Sequence, residues 1–372
     1  MRALLLWFSV VTASAQIVTN PDRVPERLRN FEAAPGRLPC RVEPIKPSLN
    51  LGFHFQTGFF ARISMNQNSD RAHWWTSVLR VTPEEQEREP VWLVSRYRVP
   101  AGPLKGTAEV VGAYLVGEGR YRVDMVLADG QRQLCHASWN VRAKLSRKAR
   151  AVRPGLPPGT VDDISLRRRR IMGPGDEELR YEVAILMHAA AMSPNRVHLR
   201  NQDRMVLMSA LSSMLERLPV RKVRLTIFNM DKQQELYHAD ELTGRTFREA
   251  VDALNGLETG IVNYSTLMNR GGHLDLLSEL VQRELASERP PDAIIFLGPV
   301  ARWDDKMSEE LLPDRARPVF YVQLRSWNPH WQGDAITRMV RKLGGQTKAV
   351  YSPDDFAVAI QELERLLTTR RE

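Results

Sequence analysis

The sequence predicts two domains of different fold class: an all-β sandwich, then an α/β domain with a doubly wound, mostly parallel sheet. Residues 40–143 contain short segments that alternate apolar with polar side chains and are rich in aromatic and β-branched residues. Within residues 178–372, strand-like segments alternate with helix-like ones, the order expected for a parallel sheet covered by helices. A chain of 372 residues is long enough for two such domains.

The first 15 residues have the composition of a cleaved signal peptide. Arg2 is followed by the apolar stretch 3–11 and by a small-x-small tripeptide at 13–15. This stretch is too short to span a bilayer, and no later window approaches the roughly 18 consecutive apolar residues that spanning requires. We therefore predict an exported protein, periplasmic or extracellular and not membrane-spanning. Its mature N-terminal segment would be residues 16–39.

The two cysteines of the chain, Cys40 and Cys135, are predicted to form a disulfide. An exported chain meets oxidising conditions, under which such a pair can close. The alternative is a pair of buried free thiols. The bond would close a long loop within the β-rich half of the chain.

The segments of the β-rich half predict six or seven strands in two packed sheets. Val123, Met125 and Leu127 alternate toward the inside, and Tyr121 follows a Gly-rich turn, as in the tyrosine corner of immunoglobulin-like domains. Residues 40–143 thus resemble the Ig-like modules of bacterial exported proteins. Core packing is the favoured role of the tryptophans in this region, and a carbohydrate-stacking platform is the alternative; they are Trp74, Trp75, Trp92 and Trp139.

Residues 144–177 are predicted to form a basic linker rich in proline and glycine. The net charge of the chain is +9, and between Arg142 and Arg170 ten basic residues stand against only Asp162 and Asp163. The favoured interpretation is a solvated, extended tether. The alternative is contact with anionic envelope polymer or lipid headgroups, and nucleic acid is not expected as the partner of an exported protein.

The second domain is predicted to alternate strands and helices from residue 181 to the last helix. Gly344 and Gly345 are placed to end a helix, while Ser352, Pro353 and Asp355 carry the signature of a helix start. Strands are predicted at 181–188, 223–230, 234–240, 292–298, 318–324 and 347–351, and helices at 205–218, 247–257, 274–286, 334–343 and from 352 onward.

Four segments of this domain, in this order, are similar to counterparts in the von Willebrand factor type A family. They are the strand VAILMHAAAM, the loop TGIVNYSTLM, the strand AIIFLGP and the terminal LGGQTKAVYSPDDFAVAIQELERLL. The resemblance covers about half of the chain, and it implies a vWA-like, Rossmann-like α/β fold. The ordered set carries the resemblance, since no single motif in it is sharp.

The family's metal-ion-dependent adhesion site is degenerate in this sequence. The resemblance implies oxygen ligands from Asp-x-Ser-x-Ser after the first strand, a Thr in a second loop and an Asp after the fourth strand. The matching positions here are His188, Ala190, Met192, Val262 and Gly298, or Pro299 in place of Gly298. A hard cation such as Mg²⁺ needs oxygen ligands, so we expect no bound metal and no cofactor. A rearranged site that uses Asp203, Ser193, Asn263 and Ser265 is the alternative.

Loops at the carboxyl ends of parallel strands share one edge of a sheet, and here they carry aromatic and Met residues typical of protein interfaces. We call the aromatic, Met and His residues of these loops the crest. We predict that the crest binds an unidentified protein partner in the cell envelope or exterior. The alternative is that these side chains pack down and cover the sheet. The crest residues are His188, Met192, Tyr264, Trp303, Trp327, His330 and Trp331.

The sequence also bears on whether the protein is an enzyme. It lacks the nucleophile elbow, zinc-protease, P-loop, C-x-x-C and dinucleotide-binding motifs, and its eight histidines are scattered singly. We therefore predict a non-enzymatic binding or assembly module. The alternatives are an envelope adaptor that binds anionic or sugar polymer through the linker or the sandwich aromatics, and a hydrolase.

Overall fold

The computed structural model describes most of the chain and divides it into two compact units, Met1–Arg167 and Arg168–Glu372. The described residues are 16–31, 38–64, 72–85, 88–99, 107–129, 133–146, 152–164, 180–192, 199–257, 268–269, 271–301, 317–325 and 334–368.

The first unit is built from two antiparallel sheets. A five-stranded sheet has the order β1-β5-β4-β7-β8, and a four-stranded sheet has the order β2-β3-β6-β9. A 3₁₀ turn at Pro21–Arg23 and the short helix α1, Glu26–Arg29, follow the first strand. The strands are β1 Ile17–Thr19, β2 Cys40–Leu49, β3 Phe55–Ser64, β4 His73–Pro83, β5 Val91–Val99, β6 Thr107–Val116, β7 Gly119–Ala128, β8 Leu134–Ala143 and β9 Val161–Asp163.

The main core of this unit lies between the two sheets. Val123, Met125 and Leu127 of β7 all point into it, as their alternation predicts. Phe59 on β3 and Tyr114 on β6 enter the same core from the four-stranded sheet. Burial of these side chains from both sheets stabilises the face-to-face packing.

The five-stranded sheet is also covered on its outer face. Val78, Val126 and Leu134 form a second apolar cluster there with Val24 and Leu28 of the N-terminal segment. The predicted N-terminal segment is therefore part of this unit, because it buries the outer face of the sheet.

Tyr121 joins the stretch predicted as a tether to the sandwich. Its ring is buried, and its hydroxyl donates to the carbonyl oxygens of Gly117 at 2.9 Å and Thr160 at 3.2 Å. Strand β9 follows immediately and pairs with β6 through Val161 and Asp163. Part of residues 144–177 thus belongs to the sheet of the first unit.

The second unit contains one six-stranded sheet in the order β12-β11-β10-β13-β14-β15. Its apolar core, on one face of the sheet, brings together Phe228, Phe296, Leu277 and Ile336. The strands are β10 Tyr181–His188, β11 Val220–Asn229, β12 Gln234–Ala239, β13 Ala293–Pro299, β14 Val319–Leu324 and β15 Gln346–Val350, and the helices are α2 Asn201–Arg217, α3 Gly244–Asn255, α4 Gly272–Leu285, α5 Ala335–Lys342 and α6 Pro353–Thr368.

The predicted fold class, α/β with a doubly wound sheet, is wrong for this protein. Strand makes up 44% of the structure and helix 28%. Among the described strands, eight pairings are antiparallel and four are parallel. Even the six-stranded sheet is mixed, because a short turn between β11 and β12 cannot supply the crossover that a parallel neighbour needs.

The predicted disulfide is confirmed. Cys40 on β2 and Cys135 on β8 are bonded, with their Cα atoms 6.0 Å apart and a sequence separation of 95. The bond joins the four-stranded sheet to the five-stranded sheet. In the described part of the chain, no helix has both the length and the apolar character needed to cross a bilayer.

Replacing both cysteines, Cys40→Ser with Cys135→Ser, should lower the free energy of unfolding by about 4–5 kcal/mol, because the open chain gains loop entropy. Urea denaturation followed by tryptophan fluorescence measures the change. Wild-type protein treated with reductant is the control and should unfold at the same urea concentration as the double variant. Unchanged unfolding in both samples would contradict the expectation.

Candidate functional site

The candidate site lies at the edge where the parallel strands β10, β13 and β14 end. Met187 pairs with Leu297, and Leu297 pairs with Val322, so the three strands run in register to this edge. We call it the carboxyl-end edge and define its described part as residues 188–192, 298–301 and 323–325. Because the strands are parallel, the loops that follow them leave the sheet together.

His188 is built into the interior at this edge. It is only 2% exposed, and its ring stacks on Phe228 with the ring centroids 5.4 Å apart. Its Nδ1 lies 3.1 Å from the carbonyl oxygen of Pro299. A carbonyl can only accept, so Nδ1 carries the proton and donates it. The imidazole therefore links the ends of β10 and β13.

Gly298 lies against the backbone of His188. Its φ of +150° is a conformation that side-chain-bearing residues rarely adopt, and a Cβ built on it would stand 2.5 Å from the His188 carbonyl oxygen. The position that matches the family's aspartate thus has no room for any side chain. The alternative match, Pro299, contributes only its carbonyl oxygen, which already accepts from His188 and from the Tyr321 hydroxyl at 2.9 Å.

The donor set at this edge does not fit a hard cation. Ala190 is buried and carries only a methyl group, and Gly298 has no side chain. The Nδ1 of His188 already donates to the carbonyl oxygen of Pro299. Throughout the ranges that the structure covers, no three His, Cys, Asp or Glu side chains come together as metal ligands.

Asp203, the one described acid of the alternative metal site, is used in local structure. Its Oδ1 accepts from the backbone N–H of Met192 at 3.1 Å and its Oδ2 from that of Arg200 at 2.9 Å. It therefore closes the start of α2 and holds the chain after β10. Ser193, Asn263 and Ser265 lie outside the described residues.

Asp334 is a buried carboxylate that the sequence reasoning did not single out as part of the site. Its Oδ1 accepts from the N–H groups of Ala301 at 3.3 Å and Ile336 at 3.0 Å. Its Oδ2 accepts from the Thr337 hydroxyl at 3.0 Å and from the Gln323 amide. Burial raises the pKa of Asp334, while the donors of Gln323 and Thr337 act in the opposite direction.

Two sequence signals point to this network. Asp334 stands just before a helix, where a carboxylate caps the free N–H groups. Gln323 interrupts the apolar strand β14 and is buried, so its amide needs a partner. Neither signal by itself indicates that the two side chains meet.

Most of the predicted crest falls outside the described residues. Met192 is half-buried at the edge and His188 is buried beneath it. The remaining crest residues, Tyr264, Trp303, Trp327, His330 and Trp331, and the metal-site position Val262 are not among the described residues. The crest therefore stays a prediction.

The tryptophans of the first unit do not share one surface. Trp75 lies in the main core, and Trp139 packs against Phe59 with the ring centroids 6.2 Å apart. Trp92 packs against Phe31 at 5.6 Å. Trp74 alone of the four is highly exposed, at 56%.

No family model and no curated protein matches this chain. Similar solved structures include a lipoprotein from Bacteroides thetaiotaomicron, 10% identical with a TM-score of 0.15, which covers 33% of this chain and 94% of that one. A calcium-binding mutant of Bacteroides uniformis beta-glucuronidase 2 is 8% identical with a TM-score of 0.20, covering 82% of this chain and 38% of that one. A Paenibacillus cycloisomaltooligosaccharide glucanotransferase is 8% identical with a TM-score of 0.20, covering 78% and 45%. The chain spans less than half of these two enzymes, and likenesses at such TM-scores carry no argument.

Gly298→Ala should lower the free energy of unfolding by about 2 kcal/mol or more, since the new methyl group meets the His188 backbone in a strained conformation. Gly256→Ala is the matched control: its Cβ would lie 3.6 Å from the nearest atom, an ordinary contact. Its effect should stay within about 1 kcal/mol. Urea denaturation compares the two, and equal effects would refute the steric argument.

Mg²⁺ or EDTA should shift the melting temperature by no more than about 1 °C. A site that bound the ion would instead stabilise the fold by about 2.7 kcal/mol when the ion concentration is 100 times the Kd. Differential scanning fluorimetry with millimolar Mg²⁺, Mn²⁺ or chelator makes the measurement. A rise of several degrees that saturates with Mg²⁺ would overturn the interpretation of a degenerate site.

Proposed function

We propose that the protein is an exported, non-enzymatic module that binds a protein partner without a metal, through the carboxyl-end edge of its second unit. The observation that carries the proposal is the contact between Gly298 and the His188 backbone. It closes the place where an adhesion-type metal site would need a carboxylate. Within this proposal, the resemblance to von Willebrand factor type A domains is our interpretation of the second unit.

The anchoring of the described backbone at this edge supports a binding role. The backbone at Ala301 is held by the carboxylate of Asp334, and the backbone N–H of Arg325 donates to the carbonyl of Val350 at 2.9 Å. Ala301 and Arg325 are the last described residues before the segments 302–316 and 326–333, which carry Trp303, Trp327 and Trp331. Backbone that is already held in place loses less conformational entropy when a partner docks beside it.

The composition of these segments supports a protein as the partner. Tryptophan and tyrosine bury large areas at low cost in side-chain entropy, and such residues dominate the energetics of many interfaces. An interface of this kind depends on apolar burial, so its affinity should vary little with salt.

The state of His188 argues against hydrolytic chemistry at this edge. A general base must reach its substrate, yet this imidazole is buried under the strand ends and donates its Nδ1 proton to a backbone carbonyl. Asp334 is likewise enclosed and engaged by four donors.

Export has support of its own. The Cys40–Cys135 disulfide is typical of proteins that fold in an oxidising compartment. The leader-like residues 1–15 lie outside the described residues, and their role stays a prediction from sequence.

The double variant Trp327→Ala with Trp331→Ala should lose at least about 90% of partner capture from an envelope extract of the native organism, because two interface anchors are removed. Immobilised wild-type and variant proteins are compared by quantitative mass spectrometry. Capture by the wild type should persist in EDTA and in 0.5 M NaCl.

The matched control is Phe60→Ala, which removes an exposed aromatic residue from the other unit and should leave this capture unchanged. The proposal would be refuted if the double variant retained capture, or if a chelator abolished capture by the wild type. Unfolding curves of all variants establish that they fold like the wild type.

A further inference from the structure

A groove of about 250 Å³ opens on the outer face of the five-stranded sheet, beside α1. It belongs to the first unit, whereas the carboxyl-end edge belongs to the second. Its floor is apolar, and its rim carries three guanidinium groups and one indole. The lining residues are Arg23, Val24, Pro25, Arg27, Leu28, Trp74, Thr76, Val78, Val94 and Arg96.

The N-terminal segment forms one wall because its apolar residues are anchored. Val24 and Leu28 are buried against the sheet. Arg23 and Arg27 alternate with them, and both side chains are exposed at the groove. Burial of Val24 and Leu28 thus places Arg23 and Arg27 at the groove.

The opposite wall comes from the sheet itself. Trp74 and Thr76 lie on β4, and Arg96 lies on β5 directly across from Thr76. These three side chains share the outer face, since their neighbours Trp75 and Tyr97 point into the main core.

The groove is positively charged without compensation. No acidic residue lines it, and among the described residues no carboxylate pairs with Arg23, Arg27 or Arg96. The two acids nearest in sequence, Asp22 and Glu26, do not line the groove, and Asp22 lies 4.0 Å from Arg29. Three like charges around one small space repel each other, and a bound anion would relieve that repulsion.

The indole of Trp74 adds an apolar surface at the mouth of the groove. More than half of this side chain is exposed, which is unusual for so large an apolar group. An indole face offers stacking area to one flat or ring-shaped ligand, and a nearby guanidinium offers a paired donor fork to a carboxylate.

We infer that this groove binds one acidic sugar unit, a hexuronic acid ring of an anionic polysaccharide. The carboxylate pairs with the arginines, and the apolar face of the ring lies on Trp74. The volume suits a single ring, since it is below the range of about 300–1,000 Å³ typical of drug-sized ligands.

A nucleic acid fits the groove less well. Binding of single strands uses successive aromatic platforms along a basic track, whereas Trp74 is the one aromatic residue in the lining. The disulfide also favours an oxidising compartment, in which anionic polysaccharide is the more accessible polymer.

The test uses the full chain and isothermal titration with a galacturonic acid oligosaccharide. Its fully methyl-esterified form, with the same rings and no charge, is the ligand control. Arg96→Gln and Arg27→Gln should each weaken binding about tenfold or more, because each removes a charged hydrogen-bond donor. Trp74→Ala should weaken it about fivefold.

Arg142→Gln is the matched protein control. Arg142 is exposed on β8 of the same sheet, carries the same charge and does not line the groove. Its loss should leave the affinity within about twofold, as expected for a surface charge outside the site. All substituted residues are exposed, and thermal melts check that the variants fold.

The inference is supported if the acidic oligosaccharide binds, the ester does not, and the three groove variants lose affinity while Arg142→Gln retains it. It is overturned if the acid and ester bind alike, or if Arg96→Gln and Arg142→Gln behave alike. Tighter binding of an oligo-dT strand that depends on the same residues would also overturn it, in favour of a nucleic-acid site.

Discussion

The close approach of β10 and β13 at Gly298 is the constraint on which the strand ends of the second unit depend. Without a Cβ, this glycine lets the backbone of one strand rest on that of the other. His188 then spans the same gap by donating to the carbonyl of Pro299. A backbone contact thus occupies the space that a side-chain ligand at this position would need.

Buried polar groups complete this edge. A carboxylate in an apolar interior is costly unless donors surround it, and Asp334 is surrounded by two backbone N–H groups, a hydroxyl and an amide. One side chain therefore ties the chain after β13 to the start of α5. The network thus fixes the backbone at Ala301, the last described residue after β13.

In the first unit, apolar packing also determines where charged side chains lie. Its five-stranded sheet buries both faces, one against the second sheet and one against the N-terminal segment. Covering the outer face stabilises the sheet, but the cover is short and leaves a groove beside α1. Apolar residues that anchor the segment alternate with arginines, so the packing that closes the sheet also gathers positive charge at its surface.

The sequence alone determined the strand-rich first half and most element positions, because these depend on local periodicity. It also determined the Cys40–Cys135 bond, because the chain has only two cysteines. Pairing direction, the place of β9 and the overall fold class depend on which strands meet in space, and sequence periodicity does not encode that. The contact at Gly298, the Asp334 network and the arginine groove likewise join residues far apart in the chain, so only the tertiary structure decided them.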